Sequence, residues 1–290
     1  MSQFLISPGA SKSGSTWFFG LLKQHTQLNM SKVKETKFFT YECEKGKDYY
    51  LRKYFNEDKG AKYCVDFSPI YLIDTTVPKK IYQTLGDEVK LIFIFRNPID
   101  RLYSQYHMDK RYGFENLDFL DAVFRPESER IALSLDNFKH VYGNNYLGES
   151  LYDEALKRYL EYFSREKIYI VIFEELINNP QNELRKIFKF LKIEDQTDSI
   201  DLNVNRGASK VYTRNQSLIG WYVKYFSNIA FIRKIVSNGT IKNYLRKLIG
   251  LKYQKNPDIL PNDRKKLQDY FINSITKFEK ITGKDMTIWK

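Results

Sequence analysis

Four short apolar runs punctuate the chain: QFLIS at Gln3–Ser7, KYCVDF at Lys62–Phe67, KLIFIF at Lys90–Phe95 and IYIVIF at Ile168–Phe173. Their character is continuous rather than alternating, so each predicts a strand covered on both faces. Helical spacing fills much of the rest. STWFFGLLKQ (Ser15–Gln24) has hydroxyl residues at its start to cap a helix. A second helix is expected from Pro98, sensible at a first helical position, to about Arg111. Leu151, Ala155, Tyr159 and Phe163 form a stripe, as do Leu184, Ile187, Phe188 and Leu191 after Pro180. A last stripe, Leu267, Phe271, Ile275 and Phe278, starts near Asn262 and closes at Gly283. Strands alternating with helices predict an α/β fold: a central parallel sheet flanked by helices. With no repeat, low-complexity linker or evident boundary, residues 1–290 read as a single domain.

Composition narrows the class. The 290 residues are 42% hydrophobic and include 22 Tyr and 21 Phe, which excludes disordered, collagen-like and coiled-coil chains. No apolar run approaches the ~20 residues of a membrane span, and no signal peptide is apparent. Two cysteines, Cys43 and Cys64, are too few for a disulfide framework or a cysteine-rich metal site, so a reducing cytoplasm is the expected compartment. The formal charge is +12, yet eleven Lys and Arg and no acid lie between Arg206 and Pro257. That segment reads as a solvated basic face or as a surface for something anionic: a nucleotide phosphate, an acidic glycan, a membrane or nucleic acid. Phe226, Ile229, Phe231 and Ile232 alternate there with Lys224, Arg233 and Lys234, a pattern that suits core packing or peripheral contact with an anionic membrane.

The first candidate chemistry is the turn after the first strand. Gly9 to Thr16, GASKSGST, joins strand to helix through small residues, letting backbone N–H groups and a helix N-terminus approach an anion. It resembles the phosphate loop of nucleotide triphosphatases in the spacing of Gly9 and Gly14, but Ser15 stands at the lysine position and Lys12 lies within the loop. A magnesium-binding Asp at the end of a second strand is also wanting: KLIFIF ends in Arg96, and Asp66 is a poor substitute. The second candidate is Arg96 itself, at the carboxyl end of a strand where open α/β sheets bind ligands, with Ser104 about two helical turns on.

SKSGSTW (Ser11–Trp17) and RNPIDRLYS (Arg96–Ser104) together resemble the two signatures of sulfotransferases that use 3′-phosphoadenosine-5′-phosphosulfate (PAPS). ETKFF (Glu35–Phe39), DFSPIY (Asp66–Tyr71), VIFEEL (Val171–Leu176) and the closing GKDMTIW (Gly283–Trp289) resemble further segments of its heparan-sulfate-type and bacterial members. The resemblance implies in-line transfer of a sulfuryl group from PAPS to a hydroxyl, less readily an amine. Adenosine 3′,5′-bisphosphate is released and no metal is needed. It implies that Lys12 neutralises charge at the reacting centre and that Glu35 is the general base. Ser13, Gly14, Ser15 and Thr16 would hold the 5′-phosphate, and Trp17 would pack near the adenine. Arg96 and Ser104 would bind the 3′-phosphate, Arg96 through charge-assisted bonds. Arg206 and Lys210, in NRGASK, match a late 3′-phosphate loop only faintly.

The chain also departs from the pattern. Ser11 replaces a proline, Phe67 stands where the heparan-sulfate branch has a lysine, and Phe173 replaces an adenine-contacting tyrosine of the cytosolic branch. That branch's catalytic histidine has no counterpart: His107 and His140 do not fit, and His25 is expected at the surface. Tyrosine abundance and basic charge favour a glycan or other polar acceptor, anionic ones included. A nucleotide-dependent kinase and a non-catalytic nucleic-acid-binding protein are the competing classes; the sulfotransferase reading expects no nucleic acid.

Overall fold

The computed structural model describes residues 3–57, 60–112, 114–126, 128–129, 145–204, 212–213, 252–253 and 256–290. Contacts divide the chain into two compact units. The first comprises Met1–Arg101, Glu149–Ala208 and Leu267–Lys290; the second comprises Leu102–Gly148 and Ser209–Lys266.

In the first unit five parallel strands form one sheet in the order β2-β3-β1-β4-β5. They are β1 (Gln3–Ser7), β2 (Leu28–Met30), β3 (Tyr63–Phe67), β4 (Lys90–Phe95) and β5 (Ile168–Ile172). The helices in chain order are α1 (Ser15–Leu22), α2 (Phe38–Tyr41), α3 (Gly46–Tyr54), α4 (Val77–Leu85), α5 (Pro98–Tyr112), α6 (Phe119–Val123), α7 (Tyr152–Leu160), α8 (Phe173–Asn178), α9 (Pro180–Leu191) and α10 (Pro261–Thr282). The expected α/β class, with a parallel sheet flanked by helices, is what the chain adopts. β2 escapes sequence reading because three residues on a sheet edge are too few to display a period.

Both sheet faces are covered, which is why the strands read as continuous apolar runs. On one face Leu5, Val65, Ile92, Ile94 and Val171 pack with Phe18 and Leu21 of α1 and Leu184, Ile187 and Phe188 of α9. On the other, Phe93 meets Tyr159 of α7 edge-on at 5.0 Å between ring centroids, and Phe95 meets Phe278 of α10 at 5.2 Å. Each fully buried ring of this kind contributes about 1.5–3 kcal/mol. His25, expected at the surface, is buried: its Nε2 lies 2.9 Å from the Glu194 carbonyl and its ring stands edge-on to Phe188. A short return of the chain after α1 carries it under α9, which no local pattern announces.

The second unit contains most of α5, from Leu102, together with α6 and the start of α10. Tyr103, Tyr106, His107 and Phe119 form an aromatic cluster there. A buried ion pair joins Arg125 to Glu115 at 2.6 Å, and Glu115 also accepts from the amides of Asn116 and Leu117. Within the acid-free segment, Tyr212–Thr213 and Lys252–Tyr253 pair antiparallel as β6 and β7.

Candidate active site

Each strand of the sheet delivers a candidate residue just beyond its carboxyl end. Lys12 to Thr16 follow β1, Glu35 follows β2, Ser68 follows β3, Arg96 follows β4 and Phe173 follows β5. β1 is central, between β3 and β4: the chain runs out from β1 to β2, returns to β3 and then crosses to β4 on the other side of β1, so the strand order reverses beside it. A crevice opens at such a switch point, and ligands of open α/β sheets bind there.

The turn after β1 is built for an anion. Gly14 is the residue before α1, in the left-handed region at φ 79°, and it carries no side chain to cap the helix, which suits an anion at the helix's N-terminal turn. A Cβ at Gly14 would fall 2.1 Å from Cε2 of Phe173, so any side chain there would force the ring to shift. Lys12, half-buried, is itself held at φ 63°, an arrangement costing about 1–2 kcal/mol for a residue with a Cβ. Ser13 and Ser15 are buried and Thr16 is exposed. Trp17 lies in the core, 6% exposed, its indole N–H donating to the Leu202 carbonyl at 2.9 Å.

Arg96 joins this turn directly. Its guanidinium donates to the Lys12 carbonyl at 3.3 Å and stands over the Phe173 ring, 5.4 Å from its centroid. Phe173 opens α8 instead of ending the strand, so its ring lies between Gly14 and Arg96. The backbone around Arg96 is pinned on both sides. Tyr152 donates its hydroxyl to the Arg96 carbonyl at 2.9 Å. The Asn97 amide donates to Glu174 at 2.8 Å, while the other Glu174 oxygen accepts from the Trp289 indole at 3.1 Å. Asn97 in turn caps α5, its Oδ1 accepting from the amides of Ile99 and Asp100. The closing GKDMTIW segment thus does structural service at the end of β4.

Glu35 lies on the loop between β2 and α2. Its side chain is 40% exposed and pairs with Lys34 at 3.1 Å. Its amide donates to the Phe67 carbonyl at 2.9 Å, and Phe67 pairs in register with Ser7, two residues before Gly9. The Glu35 loop and the turn after β1 therefore leave the sheet on either side of the end of β3. Glu35 and Lys37 both hold left-handed backbone, at φ 66° and 56°. With Lys12 they make three of the four non-glycine residues of positive φ among the described residues; the fourth, Lys192, ends α9. Backbone strain of this kind persists only where the surroundings over-determine it, and it gathers at functional sites.

Asp66 is the residue that sequence reasoning undervalued. Its carboxylate is fully buried and accepts from four hydroxyls: Thr36, Tyr50 and Tyr71 on Oδ2, at 2.6, 2.9 and 2.9 Å, and Ser68 on Oδ1 at 2.9 Å. Burial pushes its pKa up while the four donors pull it back. So enclosed, it is not placed to hold magnesium, which removes the support for a kinase. The available signal was an acid inside an otherwise apolar strand, since a buried carboxylate requires partners.

Ser104 lies on α5 in the second unit and is half-buried. Arg206 and Lys210 lie outside the described residues. Burial, helped by Arg111 and Lys110, lowers the His107 pKa to about 4. Among the described residues no group of three or more His, Cys, Asp and Glu is arranged to hold a metal ion, and no helix is long and apolar enough to cross a membrane.

Comparisons with known proteins give the chain's family and fold. The human heparan sulfate glucosamine 3-O-sulfotransferase 5 is 26% identical over 279 residues, covering 96% of this chain and 71% of the relative. The human bifunctional heparan sulfate N-deacetylase/N-sulfotransferase 2 is 29% identical over 205 residues, covering 67% of this chain and 22% of that larger protein. The crystal structure of a sulfotransferase from Alicyclobacillus acidocaldarius superposes with a TM-score of 0.69 at 20% identity, covering 100% of this chain and 98% of the other, so the fold is shared. The sequence pattern of the sulfotransferase domain matches residues 3–271, and the chain belongs to that family.

Proposed function

We propose that this sulfotransferase, whose sulfuryl donor is PAPS, sulfates a hydroxyl of a glycan with Glu35 as general base, residues 1–290 serving as one domain. The observation that carries the reading is the bond from Arg96 to the Lys12 carbonyl, which brings the two signature segments together at adjacent strand ends. PAPS supplies the sulfuryl group and departs as adenosine 3′,5′-bisphosphate. The residues present suit its two charged ends. Uncapped N–H groups of α1 and the hydroxyls of Ser15 and Thr16 hold the 5′-phosphate, and the Arg96 guanidinium pairs with the 3′-phosphate. Phe173 offers a ring face beside both. Lys12 neutralises the charge that gathers on the oxygen between phosphorus and sulfur as that bond breaks. Glu35 takes the acceptor's proton as its oxygen attacks sulfur, leaving the sulfate ester. Ser104, Arg206 and Lys210 rest on the family resemblance alone.

A glycan acceptor is supported by the names of the relatives and by an exposed base on an open loop. Cys43 and Cys64 form no disulfide, which suits a reducing compartment, and we read the enzyme as cytoplasmic on that ground. Calorimetry without metal is the test of the donor site. Adenosine 3′,5′-bisphosphate should bind more tightly than 5′-AMP or ATP, and Arg96→Ala should weaken it about tenfold or more, the scale of a charge-assisted bond. Equal binding of all three nucleotides would overturn the donor assignment. Transfer of label from PAPS to N-sulfated heparan sulfate tests the acceptor class.

A further inference from the structure

Glu35 is an exposed side chain on strained backbone, and nothing in its own short loop explains why it stays in place. Backbone bonds tie the loop to β3 only at intervals: the Ser31 amide donates to Val65 and the Glu35 amide to Phe67. The following three amides, from Lys37 to Phe39, each donate to a side-chain hydroxyl. Lys37 donates to Ser68 at 3.1 Å, Phe38 to Thr36 at 3.2 Å and Phe39 to Tyr71 at 3.3 Å. These are three of the four hydroxyls that donate to Asp66. Each one accepts from the loop and spends its single proton on the carboxylate. The fourth, Tyr50, brings α3 to the same point and stacks on Phe38 at 4.4 Å between ring centroids.

We propose that Asp66 is a positioning residue for the reaction: its buried carboxylate orients the hydroxyls of Thr36, Ser68 and Tyr71 so that they fix the loop presenting Glu35. The proposal rests on the reading of Glu35 as the base, and Asp66 itself touches neither donor nor acceptor. A carboxylate is required because it alone accepts from all four hydroxyls. Asparagine, nearly the same in shape, sets two N–H donors against groups that are themselves donating. The phosphate turn should be indifferent to the change, since it is braced from β4 and β5, by Arg96 at the Lys12 carbonyl and by the Phe173 ring against Gly14.

Hydrogen–deuterium exchange on the full chain, with and without adenosine 3′,5′-bisphosphate, reads this without any acceptor. In Asp66→Asn, amides of residues 37–39 should exchange about tenfold faster, the scale of one lost charge-assisted bond. Residues 9–17 should exchange as before and the bisphosphate affinity should not change. Thr36→Val should show a smaller version of the same pattern, and Thr36→Ser, which keeps the hydroxyl, should restore it. These milder variants keep the test sharp even where Asp66→Asn lowers overall stability. Uniformly faster exchange in both segments, or none in either, would overturn the proposal. Turnover on N-sulfated heparan sulfate then separates the two readings. Asp66→Asn should lower kcat with an unchanged KM for PAPS and should add nothing in a Glu35→Gln background. Full turnover by Glu35→Gln would remove the base assignment while the exchange result stood. Additive losses would remove the link from Asp66 to Glu35.

Discussion

The turn after β1 and the Glu35 loop after β2 leave the sheet on either side of β3, yet they are specified in opposite ways. The turn works through its backbone: a glycine at φ 79°, an uncapped helix start and one lysine within eight consecutive residues. Its chemistry is local, so its sequence is local. The loop carrying Glu35 is tied instead to hydroxyls of Thr36, Ser68 and Tyr71 that converge with Tyr50 on Asp66, and these are spread over 36 positions and meet because β3 and α3 pack together. Anion recognition by main-chain amides can be written in a motif. Proton transfer by a positioned side chain depends on tertiary packing that a motif does not contain.

The sharpest way to break the comparison is to remove each region's chemistry separately. Glu35→Gln should lower turnover by about 10²- to 10⁴-fold, the range for loss of a general base, while leaving the affinity for adenosine 3′,5′-bisphosphate as it was. Calorimetry and labelled-PAPS transfer on the same preparation measure both. A joint loss of affinity and turnover would mean that the two loops share one task and that the division drawn here is wrong.

The same contrast explains what the sequence disclosed. The four long strands were legible because burial on both faces leaves continuous apolar runs, and α1, α5, α9 and α10 because their stripes are long. The turn and Arg96 were legible from spacing. Glu35 was reached only through family resemblance, because an acid within KVKETK looks like any solvated charge. Asp66 was visible but misjudged. The sequence sets it aside as a poor magnesium ligand, whereas its meaning lies in four hydroxyl partners, from Thr36 to Tyr71, that no periodicity connects to it. His25 was misplaced for the same reason, its partner Glu194 being 169 residues away.

A smaller effect tests the backbone character of the turn. Gly14→Ala adds a methyl group toward Phe173 on backbone that alanine resists, and should weaken binding of the bisphosphate about tenfold, near the low end for overpacking. Phe173→Leu in the same chain removes the ring atoms that the methyl meets, so it should recover the steric part and leave the conformational part. Recovery of full affinity would show that the left-handed backbone at Gly14 is dispensable. No recovery would show that it is the whole effect. Turnover at saturating donor should change little in either variant, which separates this experiment from those on the base loop.

The smallest expected effect lies just beyond that loop. Glu42, one residue past α2, accepts from Lys45, Lys53 and Tyr54, and these bonds lower its pKa to about 2. A carboxyl whose pKa falls on folding contributes stability above its unfolded value near 4.5, and that contribution fades as pH drops toward 2. Lys45 and Lys53 are exposed to solvent, so the contribution is discounted to about 1 kcal/mol or less, or about 2 °C in Tm for a chain of this size. Glu42→Gln should therefore melt slightly below the parent at pH 7, with the two curves converging on acidification. Bisphosphate affinity should be equal in both at every pH where they fold. A gap that persists below pH 3 would mean that Glu42 acts through packing of α2 on α3, and its charge would then drop out of the account of how the loop is held.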